Sequence, residues 1–356
     1  MKKNYITKYV ALIGTIILAC SSCSKDRLKP DPQSFYTPEN AYNDPAGLRA
    51  ALVACGRNAR IEYYGDNPPI LTEMVFSEVA IDGITDKSGP PQDLNLVITP
   101  NNAAQFDDAD HARIGYYWRE GYRGIKYANT VIDYIDKVKF SSDAEKNALL
   151  GAAYFHRALR YYKLTHQFGD VPAVMHLDSV PKLDYYSTKR EAILQRMKEN
   201  LEFAAKWVPD NVNRGEVTKG AVNHLLTKIN LALGKFDDAI ASATAVINGG
   251  YSLMRAPFGS TKVNVIWDLH RPENKSLAEN KEALFMIIDR FGDGQFDGGI
   301  QTMRNAVPNW YTNINTPSGK KGLNDGATIE VPLSNTYGRG IGRLRGTPYS
   351  TQQIWT

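Results

Sequence analysis

Cysteine is scarce in this 356-residue chain: three residues, two of them within the first 23 positions. If the leader ahead of Cys23 is removed, Cys55 is the one cysteine left besides Cys23. No internal disulfide is then expected, even in an oxidising compartment. Cys55 falls on the helical-period stripe Leu48, Leu52, Cys55, Ala59 and reads as core. An excess of one charge is missing as well. The net +4 includes Lys2, Lys3 and Lys8; without them 39 basic residues face 38 acidic ones, which gives no electrostatic case for nucleic acid. Catalytic patterns are absent too. The six histidines are scattered, with no H-E-x-x-H and no Cys/His cluster. There is no G-x-S-x-G and no phosphate loop. Asp289, Asp293 and Asp297 recur every four residues, the wrong spacing for an EF-hand, and read as a solvated turn. Asp107, Asp108 and Asp110 read as a loop feeding a helix start, where acids are favoured.

The N-terminus says where the protein goes. Met1–Lys8 carries three lysines and no acid, and Tyr9–Ala19 is an almost unbroken apolar run followed by small residues. That is a secretory signal. The run is too short to cross a hydrocarbon core, which needs about 20 residues. A cysteine at the cleavage point adds diacylation, so the protein is expected to be anchored by lipid (a palmitate-type acyl anchor) without spanning the membrane. Cys23 is preferred as the lipidated residue because Ser21-Ser22 suits the positions before the cut; Cys20 is the alternative. Residues 1–22 are then signal peptide, and the proline-bearing, polar stretch 23–38 is an extended tether.

Helical periodicity begins near Glu39 and, after Asn67-Pro68-Pro69, covers Leu71–Ile81. Asp82–Ala109 is a long excursion rich in Gly, Pro, Asn and Asp. Helices follow at Ile114–Val138, with Trp118, Tyr122, Ile125, Asn129 and Ile132 on one face, and at Asp143–Gln167, capped by Ser141 or Ser142 and stopped at Gly169. Another spans Lys189–Trp207, capped by Thr188, and a last pair runs Lys219–Leu233, capped by Thr218, and Phe236–Asn248. Gly234 at the turn of that pair, with Leu226 before it and Ala239, Ala243 and Val246 after, has the form of a tetratricopeptide unit of about 34 residues. Small residues suit closely crossing helices, so Ala158 and Ala239 are placed at tight contacts. A generic helical hairpin would place small residues similarly. The economical architecture is mainly all-α, a superhelix of helix pairs with a loop-rich, irregular C-terminal part. Within that part Glu282–Asp289 reads as a buried strand or a short helix.

Four stretches in order carry a resemblance: Trp118–Asn129 (WREGYRGIKYAN), Ala153–Val174 (AYFHRALRYYKLTHQFGDVPAV), Arg214–Leu233 (RGEVTKGAVNHLLTKINLAL) and Phe236–Leu253, which ends in INGGYSL. Together they resemble the SusD/RagB family of outer-membrane nutrient-binding lipoproteins of Bacteroidetes, and the Cys23–Pro32 opening resembles that family's mature N-terminus. The resemblance implies tetratricopeptide-like helix pairs over residues 39–280 and the start of a C-terminal domain over 281–356. Family members continue well past the equivalent of Ile354-Trp355, so the chain is expected to be a C-terminally truncated member.

The same resemblance implies a surface-exposed binding lipoprotein, not an enzyme and without a cofactor. It would capture a glycan or other oligomeric nutrient and pass it to a TonB-dependent, SusC-like outer-membrane transporter. A helical-repeat adaptor that binds only protein, and a glycoside hydrolase, are the alternatives. For a sugar face, aromatics outside the helical stripes are the natural platforms, because a flat ring binds the apolar C–H side of a pyranose. Trp310 and Tyr311 come first, then Tyr63 and Tyr64, with Asn95, Asn101 and Arg304 as hydrogen-bonding partners. For Trp310 and Tyr311, packing as local core of an irregular segment is the favoured reading over a ligand platform.

Overall fold

The computed structural model describes residues 38–64, 68–83, 114–178, 180, 182–288, 302–307, 317–319, 340 and 342–355. Six helices of twelve residues or more form the body. They are α1 (Pro45–Arg60), α2 (Ile114–Tyr134), α3 (Asp143–Phe168), α4 (Arg190–Trp207), α5 (Lys219–Ala232) and α6 (Phe236–Ile247). Their starts follow local chemistry. Asp44 accepts the Gly47 N–H at 2.7 Å, Ser142 accepts that of Glu145 at 3.2 Å, and Thr218 accepts that of Ala221 at 3.0 Å. The Glu145 carboxylate in turn accepts the Ser141 N–H at 3.3 Å, a reciprocal cap displaced by one residue. Gly169 ends α3 at φ 74°, and Gly234 turns α5 into α6 at φ 69°, a backbone region open to glycine.

Each helix packs on the next in sequence, and α3 additionally touches α1 on one side and α5 on the other. This is the tetratricopeptide-like superhelix expected: first helices α1, α3 and α5 line one face, and second helices back them. The main core lies between α2 and α5, where Ile193, Leu194, Met197 and Leu201 of α4 sit against Ile125, Ala158, Tyr161 and Leu164, all at most 1% exposed. Each large apolar side chain so buried contributes roughly 1.5–3 kcal/mol relative to exposure. A second cluster gathers Leu48, Val131, Ile135, Val138 and Leu149 where α1 meets the far ends of α2 and α3. Ala158 and Ala239 are buried, as their placement at crossings requires, and Cys55 is buried with its thiol pushed up to about 12 by loss of solvent.

Two of the four resembling stretches meet in one polar joint. Arg157 donates to Asn129 Oδ1 at 3.0 Å and to the Met175 carbonyl at 2.9 Å, while Asn129 donates to the Val174 carbonyl at 3.0 Å. The Tyr161 hydroxyl accepts the Val174 N–H at 2.6 Å, and burial raises that phenol to about 12. These bonds pin the chain as it leaves α3.

Several expectations are corrected. The helix assigned to Leu71–Ile81 is shorter, Ile70–Phe76, and Ala80–Asp82 is instead a strand, β1. Of the stripe on Ile114–Val138, Ile125 and Asn129 are buried, but Trp118 is 41% exposed. The buried surface of α2 also takes in Tyr117, Gly121, Gly124 and Ala128, because α1 and α3 flank it on two sides. Thr188 does not cap α4. It belongs to a two-residue strand (β3, Ser187–Thr188) paired with β2 (Val171–Pro172), and Asp170 supplies the cap from a distance, accepting the Arg190 N–H at 3.0 Å. Glu282–Ile288 is neither strand nor helix, and it is at most half-buried. In the C-terminal part, β4 (Leu344–Gly346) pairs antiparallel with β1, Ala80 opposite Gly346.

Candidate ligand-binding site

Where α1 ends, a 3-10 turn (Ile61–Tyr63) turns the chain and places Glu62, 2% exposed, against α3. Lys163 of α3 bonds the Glu62 carboxylate, and Arg160 stands 3.9 Å from it. Glu73, from the short helix Ile70–Phe76, accepts from Gln167 at 2.9 Å and lies 3.9 Å from Lys163. Desolvation raises Glu73 above the usual carboxylate range, with Lys163 opposing and Glu62 adding to the shift. Alongside, Asn58 donates to Glu120 at 2.9 Å, and Arg123 and Arg119 pair with the same carboxylate at 2.7 and 3.1 Å. Buried charges persist only when paired in this way. The arrangement is a polar clasp between α1, α2 and α3. It holds no nucleophile–base pair, and among the described residues no group of His, Cys, Asp and Glu is placed to hold a metal ion.

Tyr63 and Tyr64 lie at the edge of this clasp and are half-buried. Burial pushes the Tyr63 phenol to about 12, with Glu62 and Glu73 adding to the shift, so Tyr63 is built into the clasp more than presented from it. Tyr64 lies under the Arg60 guanidinium, 5.9 Å from its ring centre. The backbone of a short helix, Thr302–Ala306, reaches the same corner: Thr302 Oγ1 donates to the Tyr63 carbonyl at 3.3 Å. The segment carrying Arg304 and the Tyr63–Tyr64 pair, 239 residues apart, are therefore neighbours. Asn95, Asn101, Trp310 and Tyr311, and the lipidation candidates Cys20 and Cys23, lie outside the described residues.

Sequence reasoning missed one aromatic group. Trp118 packs edge-on against Phe168 with centroids 5.3 Å apart and leans on Tyr122 at 5.1 Å, leaving part of the indole in solvent. Tyr122 is fixed by donating to the Pro172 carbonyl at 2.9 Å. Helical period put Trp118 on the buried stripe; its place beside Phe168, the last residue of α3, leaves it at the rim.

On the face lined by α1 and α3 runs a trough of about 1000 Å³. Its floor is Ala148, Leu149, Ala152 and His156 of α3. One wall is α1 from Arg49 to Arg60, and the other is formed by the segments Val208–Val217 and Phe285–Ile288. His156 is buried and neutral, its imidazole held down at about 3 by desolvation and the Arg160 charge. Apart from Phe285, its walls are aliphatic or polar, so the trough is not built for stacking sugars.

Helix pairs stacked in sequence order, a buried polar clasp between α1, α2 and α3 and aromatics at its rim define a tetratricopeptide-like scaffold. Residues 69–231 match the SusD-like family model, described as starch-binding and associating with the outer membrane. Over these residues the chain is similar to SusD-like proteins. The curated SusD-like protein P2 of Formosa agariphila is 27% identical over 251 residues, 70% of this chain and 46% of that protein. A SusD-like carbohydrate-binding protein from Bacteroides fragilis superposes with a TM-score of 0.55 at 20% identity, over 69% of this chain and 47% of its own. A laminarin-binding SusD-like protein does so with a TM-score of 0.50 at 22% identity, over 60% and 47% of the two chains. The chain spans about half the length of the curated relatives it matches. Among the described residues no helix is long and apolar enough to cross a membrane.

Proposed function

We propose that the protein is a non-catalytic, glycan-binding lipoprotein of the outer membrane, anchored through Cys23 and displayed at the cell surface. It holds oligosaccharide for a TonB-dependent, SusC-like transporter, since a helical scaffold of this kind cannot itself move a ligand across a membrane. One observation carries the reading: the starch-binding, outer-membrane family pattern falls on residues 69–231, which supply the α2 and α3 sides of the clasp and the Trp118–Tyr122 pair at the rim. The names of the structural neighbours, carbohydrate-binding and laminarin-binding, support the ligand class. Our candidate for the ligand face is the corner where Tyr64 and the Arg304-bearing helix converge, with Tyr63 as its base; Trp310, Tyr311, Asn95 and Asn101, outside the described residues, stay candidate ligand residues on the sequence alone.

The test is affinity electrophoresis and calorimetry of the purified chain against laminarin, starch and xylan, with reducing-sugar release measured in parallel. Saturable binding of one glycan with no release is expected. Tyr64→Ala should weaken that binding at least tenfold while the melting temperature holds, because a half-buried ring contributes stacking area more than core. Release of reducing sugar, or no binding to any glycan tested, overturns the reading.

A further inference from the structure

The clasp offers one lysine to two carboxylates. Lys163 of α3 bonds Glu62 and stands 3.9 Å from Glu73, while Arg160 stands 3.9 Å from Glu62. The Glu62 side chain is 2% exposed and that of Glu73 36%. Glu62, the deeper of the two, holds the ammonium; the close donor to Glu73 is the neutral amide of Gln167, at 2.9 Å. The titratable groups facing Glu73 are Lys163 on α3, Glu62 and Tyr63 on the 3-10 turn and Tyr117 on α2. Burial pushes both phenols up, and Glu62 and Glu73 push them further, so they add no negative charge of their own. For Glu73 itself, desolvation together with the Glu62 charge outweighs Lys163 and Tyr117.

Glu73 also joins two parts of the structure. It lies on the seven-residue helix Ile70–Phe76, whose Leu71 and Val75 pack with Ala80 of β1 and Leu344 of β4 in a cluster apart from the two clusters of the helical body. A helix shorter than about 12 residues does not hold by itself in water, so this one depends on what it rests against. Toward α3 it presents Glu73 to Gln167 and Lys163. That contact is polar and carries two like charges whenever Glu73 is ionised.

We propose that Glu73 is a proton-operated latch: protonated, it lets the helix Ile70–Phe76 close on α3, and ionised, it loosens that contact by repulsion from Glu62. A carboxyl that holds its proton more tightly docked than undocked makes docking stronger as pH falls through its raised range and weaker as pH rises above it. Gln167 suits both states, because its amide nitrogen donates to the ionised carboxylate and its amide oxygen accepts from the protonated one. The latch does not rest on the glycan reading.

The experiment is amide hydrogen exchange of the full chain at about pH 7.5 and about pH 5, corrected for the intrinsic rates. The reporters are the amides of Met74, Val75, Phe76 and Ser77, the last of which donates to the Glu73 carbonyl at 3.0 Å; the reference is the amides of Ile193–Leu201 in the core of α4. Protection of the reporters relative to the reference should rise about threefold or more on acidification. In Glu73→Gln, a neutral carboxamide of the same shape, it should be as high at both pH values as in the acidified wild type. A relative protection that stays level or falls on acidification overturns the proposal, and so does a Glu73→Gln variant that keeps the wild-type response. Circular dichroism shows whether the variant is folded; if it is not, the wild-type comparison decides alone.

Discussion

Two mid-helix glycines, Gly56 in α1 and Gly124 in α2, are expected to respond oppositely to the same substitution. Glycine inside a helix is worth about 1 kcal/mol less than alanine, because the flexible backbone has more to lose on ordering. At Gly56 a Cβ meets nothing within 4 Å, so Gly56→Ala should realise most of that gain, about 0.5–1 kcal/mol. At Gly124 the new Cβ would stand 2.5 Å from Asn58 Oδ1 and 2.7 Å from Arg160 Nε. Neither neighbour can swing into solvent, since Asn58 is 2% and Arg160 6% exposed. Asn58 must therefore give up its bond to Glu120, and a hydrogen bond to a charged group is worth roughly 1.5–3 kcal/mol. Against the 1 kcal/mol gained in helix propensity, Gly124→Ala should lose about 0.5–2 kcal/mol. Urea unfolding followed by circular dichroism measures both, with equal slopes required so that the midpoints compare stabilities. If both variants shift the same way, the clasp between α1, α2 and α3 is not as tight as described, and the reasoning fails.

Ala239 is 3% exposed in α6 and packs on α5, so Ala239→Leu should overpack the hairpin, cost roughly 1–3 kcal/mol and lower the melting temperature; an unchanged midpoint would place this side chain in solvent. His156 sets a pH dependence. Its folded value near 3 lies below the unfolded 6.5, so the unfolded chain takes up a proton that the native one refuses. Stability attributable to this group is whole above pH 6.5 and drains away as pH falls toward 3, at about 1.4 kcal/mol per pH unit in between. In His156→Gln the slope of stability against pH over that window should be shallower by about one proton; an identical slope would mean the imidazole is protonated in the fold.

The helical body was legible in the sequence because its determinants are local. Apolar period located all six long helices, and Ser142, Thr218, Gly169 and Gly234 marked their ends within a residue or two. What was not legible depends on partners distant along the chain. Thr188 is a good cap by type, but Asp170, twenty residues before Arg190, fills that role. Ile81 continues a plausible helix until Leu344–Gly346 arrives to pair with it. Glu282–Asp289 reads as a buried strand or a short helix, and nothing in its own residues reveals that Glu282–Ile288 is neither. Of the candidate ligand residues, composition alone proposed both Tyr63 and Arg304, yet only the bond from Thr302 to the Tyr63 carbonyl shows that their segments meet. The exposure of Trp118 turned on where α3 ends beside it, at Phe168, which the period of α2 does not encode.

The β1–β4 pair has a consequence for assembly. It is three residues long, and it joins Ala80 to Gly346 across nearly the whole helical body. Closing so long a loop costs about 3 kcal/mol more than closing a ten-residue hairpin, too much for so short a ladder to repay alone. The side chains around it complete the join: Ser350 donates to the Val79 carbonyl at 2.6 Å, Thr347 to that of Glu78 at 2.9 Å, and Leu344 sits with Leu71 and Val75. At a synthesis rate of about 5–20 residues per second, β1 waits some 13–50 seconds for its partner. The helices, whose contacts are between sequence neighbours, form in far less time. The helical body is therefore formed before this join, and until Leu344–Gly346 arrives β1 stands open to any passing backbone.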